Sequence, residues 1–222
     1  MPPADKKVSL TCFSDVLCIW AYITQARVDE VERQYGGQVD IDYRFCAVFA
    51  DTRHKVAISW HERGGYEGFS NHLQEVGRQF EHIKVHPEIW RSCRPLSSTP
   101  AHQTLKAVQH FSPDLFAGFL HRVREGFFER GLDISNADVL EQLLEEAGVP
   151  VAPIQQMFRR GEPQALLEAD IREKDQLQVT GSPTLVLNEG RQKLYGNVGY
   201  GVIEANIKEL LKSPNAGAAS WC

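Results

Sequence analysis

The sequence predicts an α/β domain in which a four-stranded mixed sheet with flanking helices is interrupted by an all-helical insertion. The chain opens with a strand–helix–strand pattern and closes with a helix–strand–strand–helix pattern. Between the two, over residues 58–160, apolar residues recur at helical spacing and almost no strand signal is present. The 222 residues, 42% of them hydrophobic, suit one domain with an insertion and a buried core.

The opening pattern predicts a parallel pair of strands joined by a crossover helix. Residues 7–14 alternate between apolar and polar side chains, and residues 39–45 alternate strictly, as half-buried strands do. Residues 19–34 carry apolar or small side chains at helical spacing, and Gly36 and Gly37 end that helix. A strand, a helix and a second strand in this order are typical of a parallel β–α–β unit.

The middle of the chain predicts three well-marked helices. The first covers residues 101–108, with Pro100 near its first turn, a position that proline favours. The second covers residues 112–127. The third covers residues 136–147, and Gly148 ends it.

The closing pattern places two strands between two helices. A helix follows Pro163, and Pro183 stands at the entrance of an apolar strand. A turn leads into a return strand at residues 192–195, and residues 201–212 have the pattern of a final amphipathic helix.

The order of these elements is that of a thioredoxin-like fold with a helical insertion. The first part of the thioredoxin-like domain is expected at residues 7–57 and its second part at residues 163–212. The helical insertion domain is expected at residues 58–162, and a flexible tail at residues 213–222.

Composition and charge argue against several classes of function. The net charge is −5 and there is no block of Lys or Arg, so neither a nucleic acid nor an anionic membrane is expected as a partner. No apolar run is long enough to span a bilayer, and the first seven residues lack the apolar region of a signal peptide, so we expect a cytoplasmic protein. The cysteines are odd in number and lack framework spacing, so free thiols are expected at Cys12, Cys18, Cys46, Cys93 and Cys222.

Cys18 is the strongest candidate for a catalytic residue because it lies where the first strand gives way to the first helix. The positive end of a helix dipole lowers the pKa of a thiol towards a reactive thiolate. The surrounding residues look like a Cys-x-x-Cys redox motif with Ala21 in the second cysteine position. Without that partner no local disulfide can form, but Cys18 can still attack another disulfide and form a mixed disulfide. The alternative is a buried structural cysteine.

Four stretches carry a resemblance that spans nearly the whole chain: residues 13–22, 100–107, 126–140 and 179–184. In this order they resemble the opening redox motif, the central helix, the Phe-Phe…Asp-Ile…Val-Leu stretch and the cis-proline loop of the DsbA-like thioredoxin-fold superfamily. The chain looks closest to the branch with FrnE-type proteins, kappa-class glutathione transferases and 2-hydroxychromene-2-carboxylate isomerases. Ile19 replaces the usual proline and Ala21 the usual second cysteine, and in the transferase and isomerase relatives a serine fills the position of Cys18.

The resemblance implies that the Ser182–Pro183 peptide bond is cis and faces the catalytic cysteine. The exposed backbone N–H and C=O of Ser182 would then pair with an extended peptide, such as the cysteinyl part of glutathione, the expected co-substrate. The same resemblance suggests that Asn197, Gly199 and Tyr200, before the last helix, hold the γ-glutamyl carboxylate. The alternatives are a trans proline that begins a strand and a glycine-rich connector without a ligand.

Four other residues have weaker claims to a role. Trp20 is expected either to shield the thiol or stack on a substrate, or simply to belong to the core. Asp15 is expected to cap the first helix rather than to tune the thiol, because a nearby carboxylate would raise the thiol pKa. Flanking arginines would favour a thiolate at Cys93, and Cys222 is a remote candidate for a resolving thiol.

No metal site is expected. His82 and His86 have helical ligand spacing, but Pro87 follows at once and no third ligand is evident. Weak candidates for the substrate entrance follow the second strand: Arg53, His54, Trp60 and His61.

Three functions remain open. The first is a DsbA-type thiol-linked oxidoreductase in which Cys18 is the single nucleophile, forms a mixed disulfide with glutathione or a protein thiol, and is released by an external thiol. The second is a glutathione-dependent transferase or isomerase of the kappa-class type, in which Cys18 only positions glutathione. The third is a binding module without chemistry. A homodimer is an option that the relatives suggest.

Overall fold

The computed structural model describes residues 7–212 and contains a four-stranded mixed sheet with the strand order β2–β1–β3–β4. The strands are β1 (Val8–Ser14), β2 (Val39–Phe45), β3 (Thr184–Leu187) and β4 (Gln192–Tyr195). Strand β1 is parallel to β2 and antiparallel to β3, and β3 is antiparallel to β4. The predicted α/β thioredoxin-like fold is therefore confirmed.

Strands β1 and β2 end, and β3 begins, at one edge of the sheet, and this edge positions the candidate site. The parallel register pairs Ser14 with Phe45, so β1 and β2 end side by side. The antiparallel register pairs Phe13 with Thr184, so β3 begins at the same edge. The segment after β1, the segment after β2 and the loop before β3 therefore meet there.

Eight helices surround the sheet within the described residues: α1 (Ile19–Tyr35), α2 (Gly65–Gly77), α3 (Thr99–Phe111), α4 (Pro113–Phe128), α5 (Ala137–Glu146), α6 (Val151–Arg159), α7 (Glu162–Gln176) and α8 (Tyr200–Lys212). A π-helical turn (Arg53–Ile58) and a 3₁₀ turn (His61–Arg63) precede α2. Helices α2 and α6 were not among the individually predicted helices. Glycine weakens the helical signal of α2, and α6 is short and contains Pro153.

The helical insertion packs directly on the elements that carry the site. One large hydrophobic cluster joins the residues at the start of α1 to side chains of α2–α6. At its centre, the fully buried Trp90 packs against the rings of Phe49, Phe69 and Phe127 at 5.4–5.9 Å. Burial of each such side chain stabilises the fold by about 1.5–3 kcal/mol. A smaller cluster on the sheet joins β1 to the C-terminal half of α1 and to α8.

Candidate active site around Cys18

Cys18 lies at the sheet edge as the N-cap residue of α1, with extended backbone angles. Its carbonyl oxygen accepts hydrogen bonds from the backbone N–H groups of Ala21 and Tyr22. Its side chain is 7% exposed, and its Sγ donates to the carbonyl oxygen of Ser182 at 3.3 Å. The side chain of Ala21, in the first turn of α1, is buried and cannot supply a second sulfur.

The loop before β3 contacts the cysteine directly. The Ser182–Pro183 peptide bond is cis. The hydroxyl of Ser182 accepts a hydrogen bond from the backbone N–H of Asp15 at 2.8 Å, which ties this loop to the segment after β1. The expectation that the Ser182 carbonyl stands free for a substrate is wrong for this structure, because the Cys18 thiol already occupies it.

The pKa of the Cys18 thiol is higher than its position at a helix N-terminus predicts. Burial raises the pKa of Cys18 above its ordinary value, and the charge of Asp15 raises it further. Hydrogen bonds from Ser182 and from the backbone of Ala21 act in the opposite direction. The predicted lowering of the pKa is therefore wrong for this structure, because loss of hydration outweighs the helix dipole in a site that water hardly reaches.

Asp15 does not cap α1. The N-cap residue Cys18 receives no side-chain cap, and Asp15 is fully buried beneath the segment that leads into the helix. One carboxylate oxygen accepts from the backbone N–H of Leu17 at 3.0 Å. The other accepts from the backbone N–H of Phe49 and from the Ser98 hydroxyl, each at 2.8 Å. Asp15 therefore fastens the segment before Cys18 to the insertion.

The residues Ser98 and His102, from the start of α3, are parts of the site that the sequence did not reveal as such. His102 is almost fully buried, and its Nε2 accepts from the backbone N–H of Val16 at 3.1 Å. This contact fixes the neutral tautomer with the proton on Nδ1. The ring stacks on Phe45 with centroids 4.8 Å apart, and Nε2 lies 3.7 Å from the Asp15 carboxylate. The only sequence signal was that His102 falls within a stretch of family resemblance.

The position of Trp20 fits both of its predicted roles in part. Its side chain is half-buried and packs against the large hydrophobic cluster, with its ring edge-to-face on Phe80 at a centroid distance of 6.4 Å. The ring therefore supports the core and keeps part of its surface in contact with solvent next to Cys18.

The segment before α8 begins near the site and then leads away from it. The backbone N–H of Gly196 donates to the carbonyl oxygen of Pro183 at 2.9 Å, and the next residue, Asn197, accepts from Arg27 at 2.6 Å. The exposed Gly199 follows.

Tyr200 does not lie beside Cys18. Its ring packs in the smaller cluster, and the charges of Glu204 and Glu30 help to raise its pKa after burial. Glu30 is twelve residues along α1 from Cys18, about 18 Å of helix. The γ-glutamyl carboxylate that Tyr200 is predicted to hold would therefore lie away from the thiol, and this role of Tyr200 stays a prediction.

Cys93 is a structural thiol in this fold. Burial raises its pKa to about 12, and the charge of Asp133 raises it further. The neighbouring arginines are engaged elsewhere: Arg91 pairs with Glu67, and the Arg94 guanidinium lies 4.4 Å from the ring centroid of Tyr66. The predicted thiolate at Cys93 is therefore wrong. Cys222 lies outside the described residues.

His82 and His86, the two histidines with helical ligand spacing, each contact a backbone atom. His82 contacts the carbonyl oxygen of Ile23 at 3.4 Å, and His86 accepts from the backbone N–H of Glu88. Residues 7–212 contain no group of three or more potential metal ligands. Trp60, a weak entrance candidate, packs on Phe69 within the insertion.

Comparison with known families identifies the fold. Residues 9–208 match the model of the DSBA-like thioredoxin domain. The chain belongs to this family. No curated protein sequence matches the chain.

Solved structures with the same fold are distant in sequence. A suggested protein disulfide isomerase from Nitrosomonas europaea has a TM-score of 0.79 and 14% identity, with 93% of this chain and 98% of that chain covered. The cytosolic disulfide reductase DsbM from Pseudomonas aeruginosa has a TM-score of 0.67, 18% identity and coverage of 90% and 98%, and it has also been solved with GSH. A 2-hydroxychromene-2-carboxylate isomerase has a TM-score of 0.66, 14% identity and coverage of 93% and 97%. At these identities the similarity shows the fold.

Among the helices of residues 7–212, none is both long and apolar enough to cross a membrane.

Proposed function

We propose that this DsbA-like protein is a thiol-linked oxidoreductase whose attacking nucleophile is Cys18. The observation that carries the proposal is the contact of Cys18 Sγ with the Ser182 carbonyl oxygen at the cis-proline loop. A substrate that reaches Cys18 would enter beside the Ser182 carbonyl oxygen, which can accept from a peptide N–H once the thiol has lost its proton, and this suits a peptide-like thiol. Glutathione or a protein thiol is the proposed partner, and the DsbM structure with GSH supports the former.

The reaction begins when water or substrate reaches the buried sulfur and the Cys18 proton leaves to solvent. The thiolate attacks one sulfur of a substrate disulfide, a bond forms from Cys18 Sγ to that sulfur, and the substrate S–S bond breaks. The leaving thiolate takes up a proton from solvent. A second thiol must then attack the mixed disulfide to release Cys18.

Treatment with glutathione disulfide tests the proposal. We expect the Cys18 thiol to disappear, as measured by alkylation and peptide mass spectrometry, and at least one molecule of reduced glutathione to be released per protein. The variant Cys18→Ala should release none. Cys93→Ala is the matched control, because it removes another buried thiol, one that pairs with Ile89 in the helical insertion. An unreactive Cys18 in the folded wild type would count against the proposal.

A second candidate is a glutathione-dependent transferase or isomerase in which the Cys18 thiol positions glutathione. The raised pKa of Cys18, caused chiefly by burial, favours it, because a protonated thiol can donate a hydrogen bond to a bound glutathione thiolate. Glutathione binding without any release of thiol from glutathione disulfide, together with conjugation or isomerisation activity, would support this candidate instead. A protein that binds glutathione and shows neither activity would be a binding module.

We further propose a cytoplasmic location. Four cysteines within residues 7–212 are free thiols, which suits a reducing compartment. Fractionation with compartment markers would test it, and enrichment in an oxidising compartment would argue against it.

A further inference from the structure

A second buried thiol, that of Cys46, lies at the same sheet edge as Cys18. Cys46 directly follows β2, is 1% exposed, and its backbone N–H donates to the carbonyl oxygen of Ser14 at 3.0 Å. The next residue along from Ser14 is Asp15, whose N–H is bound by the Ser182 hydroxyl at 2.8 Å. Hydrogen bonds therefore connect the end of β2, through the end of β1, to the cis-proline loop that Cys18 touches.

Both cysteines are joined to Ser182 by short hydrogen-bonded paths. Cys18 Sγ donates to the Ser182 carbonyl oxygen at 3.3 Å, and Cys46 reaches the Ser182 hydroxyl through the backbone of Ser14 and Asp15. Burial raises the pKa of Cys46, the charges of Asp15 and Cys18 raise it further, and the polar side chain of Ser182 lowers it. The charge of a Cys18 thiolate therefore acts on the Cys46 thiol.

We propose that Cys46 is the resolving thiol of Cys18, in the role that a second cysteine at position 21 would otherwise have. This inference rests on the proposed function, because it requires a mixed disulfide at Cys18. Cys18 is the N-cap residue of α1, and Cys46 is the first residue after β2. Because both residues flank a regular element rather than lie inside one, a Cys18–Cys46 bond with sulfur atoms about 2.05 Å apart would require movement of these two flanking segments only.

The resolving step is a second thiol–disulfide exchange. The Cys46 thiol loses its proton to solvent and attacks Cys18 Sγ, so that a Cys18–Cys46 bond forms and the bond from Cys18 to the substrate sulfur breaks. The released substrate thiolate takes up a proton, and the substrate disulfide has then become two thiols. Two molecules of an external thiol, such as glutathione, reduce the Cys18–Cys46 disulfide and leave joined as their own disulfide.

The stoichiometry of glutathione release distinguishes this cycle from a monothiol cycle. With glutathione disulfide and no added thiol, the wild type should release two molecules of reduced glutathione per protein, keep no adduct, and yield a cross-linked peptide pair containing Cys18 and Cys46. Cys46→Ala should release one molecule and retain a glutathione adduct on Cys18. Loss of the adduct should be at least about tenfold slower in Cys46→Ala, because an intramolecular thiol acts at a high effective concentration.

Two controls keep the outcomes separate. Cys12→Ala removes a buried thiol of β1. Burial raises the pKa of Cys12 to about 12, and the charge of Arg124, not the side chain of Ser182, opposes this rise. This variant should therefore behave as the wild type. Peptide mapping of the oxidised wild type needs no variant, so the test survives if Cys46→Ala folds poorly. A stable Cys18 adduct in both the wild type and Cys46→Ala would overturn the inference and leave the proposed function intact. An unreactive Cys18 in every protein would overturn both.

Discussion

The thiol of Cys18 is held protonated by its surroundings, and this gives its reactivity a testable pH dependence. Burial raises its pKa above the ordinary value. Only the thiolate is a good nucleophile, so the rate of alkylation of Cys18 in the folded protein should continue to rise above about pH 8.5, the ordinary pKa of a cysteine thiol. Site-resolved alkylation with iodoacetamide over a pH series measures this. A plateau well below that pH would contradict a raised pKa.

The carboxylate of Asp15 has opposing effects on stability and on reactivity. In Asp15→Asn the negative charge that raises the pKa of Cys18 disappears, so alkylation of Cys18 at neutral pH should become faster. The new amide N–H₂ would face backbone donors such as those of Leu17 and Phe49, which should lower the free energy of unfolding by about 1–3 kcal/mol. Urea unfolding and alkylation rates measure both effects, with the exposed Asp114→Asn as control. Slower alkylation would refute the assigned effect of the charge.

Between elements, the hydroxyl of Ser182 joins the cis-proline loop to the segment after β1. Ser182→Ala leaves the buried N–H of Asp15 without its acceptor, so the free energy of unfolding should fall by about 1–3 kcal/mol. It also removes a hydrogen bond that lowers the pKa of Cys18, so alkylation at neutral pH should slow. Ser182→Thr keeps the hydroxyl and should stay close to the wild type in both measurements. Equal alkylation rates in all three proteins would show that the hydroxyl does not act on the thiol.

Across the whole molecule, the sequence reveals what is encoded locally and misses what only packing brings together. The strands and the helix that follows Cys18 each have a local pattern of hydrophobic periodicity, and these predictions are confirmed. Ser98 and His102 come from α3 and reach the site because the insertion packs against the sheet edge, which no local pattern encodes. Cys46 lies at the same sheet edge only because β2 pairs with β1 in the strand order. The pKa of Cys18 was misjudged for the same reason, since burial is a property of the completed fold.

His102 makes the stability of the whole fold sensitive to mild acid. Burial lowers its pKa, the nearby charge of Arg124 lowers it further, and the charge of Asp15 opposes both. Its Nε2 must stay unprotonated to accept from the backbone N–H of Val16. The folded state therefore binds this proton less readily than the unfolded chain does, and stability rises with pH wherever the unfolded chain binds more protons. The contribution is complete above about pH 6.5, the pKa of a histidine in an unfolded chain, and is lost as the pH falls below it.

The variant His102→Gln isolates this effect. Its amide oxygen can accept from the Val16 N–H, as Nε2 does, but does not take up a proton in this range. Urea unfolding from about pH 7.5 to about pH 5 should show a loss of stability in the wild type of up to about 1.4 kcal/mol per pH unit from this residue below about pH 6.5. This loss, up to about 2 kcal/mol overall, should be absent in His102→Gln. His110→Gln, on the exposed face of the same helix, should keep the wild-type dependence. Protonation of His102 breaks its contact with Val16, in the segment that carries Cys18, so the two pH profiles should differ. Identical profiles for the wild type and His102→Gln would mean that another group governs the acid sensitivity.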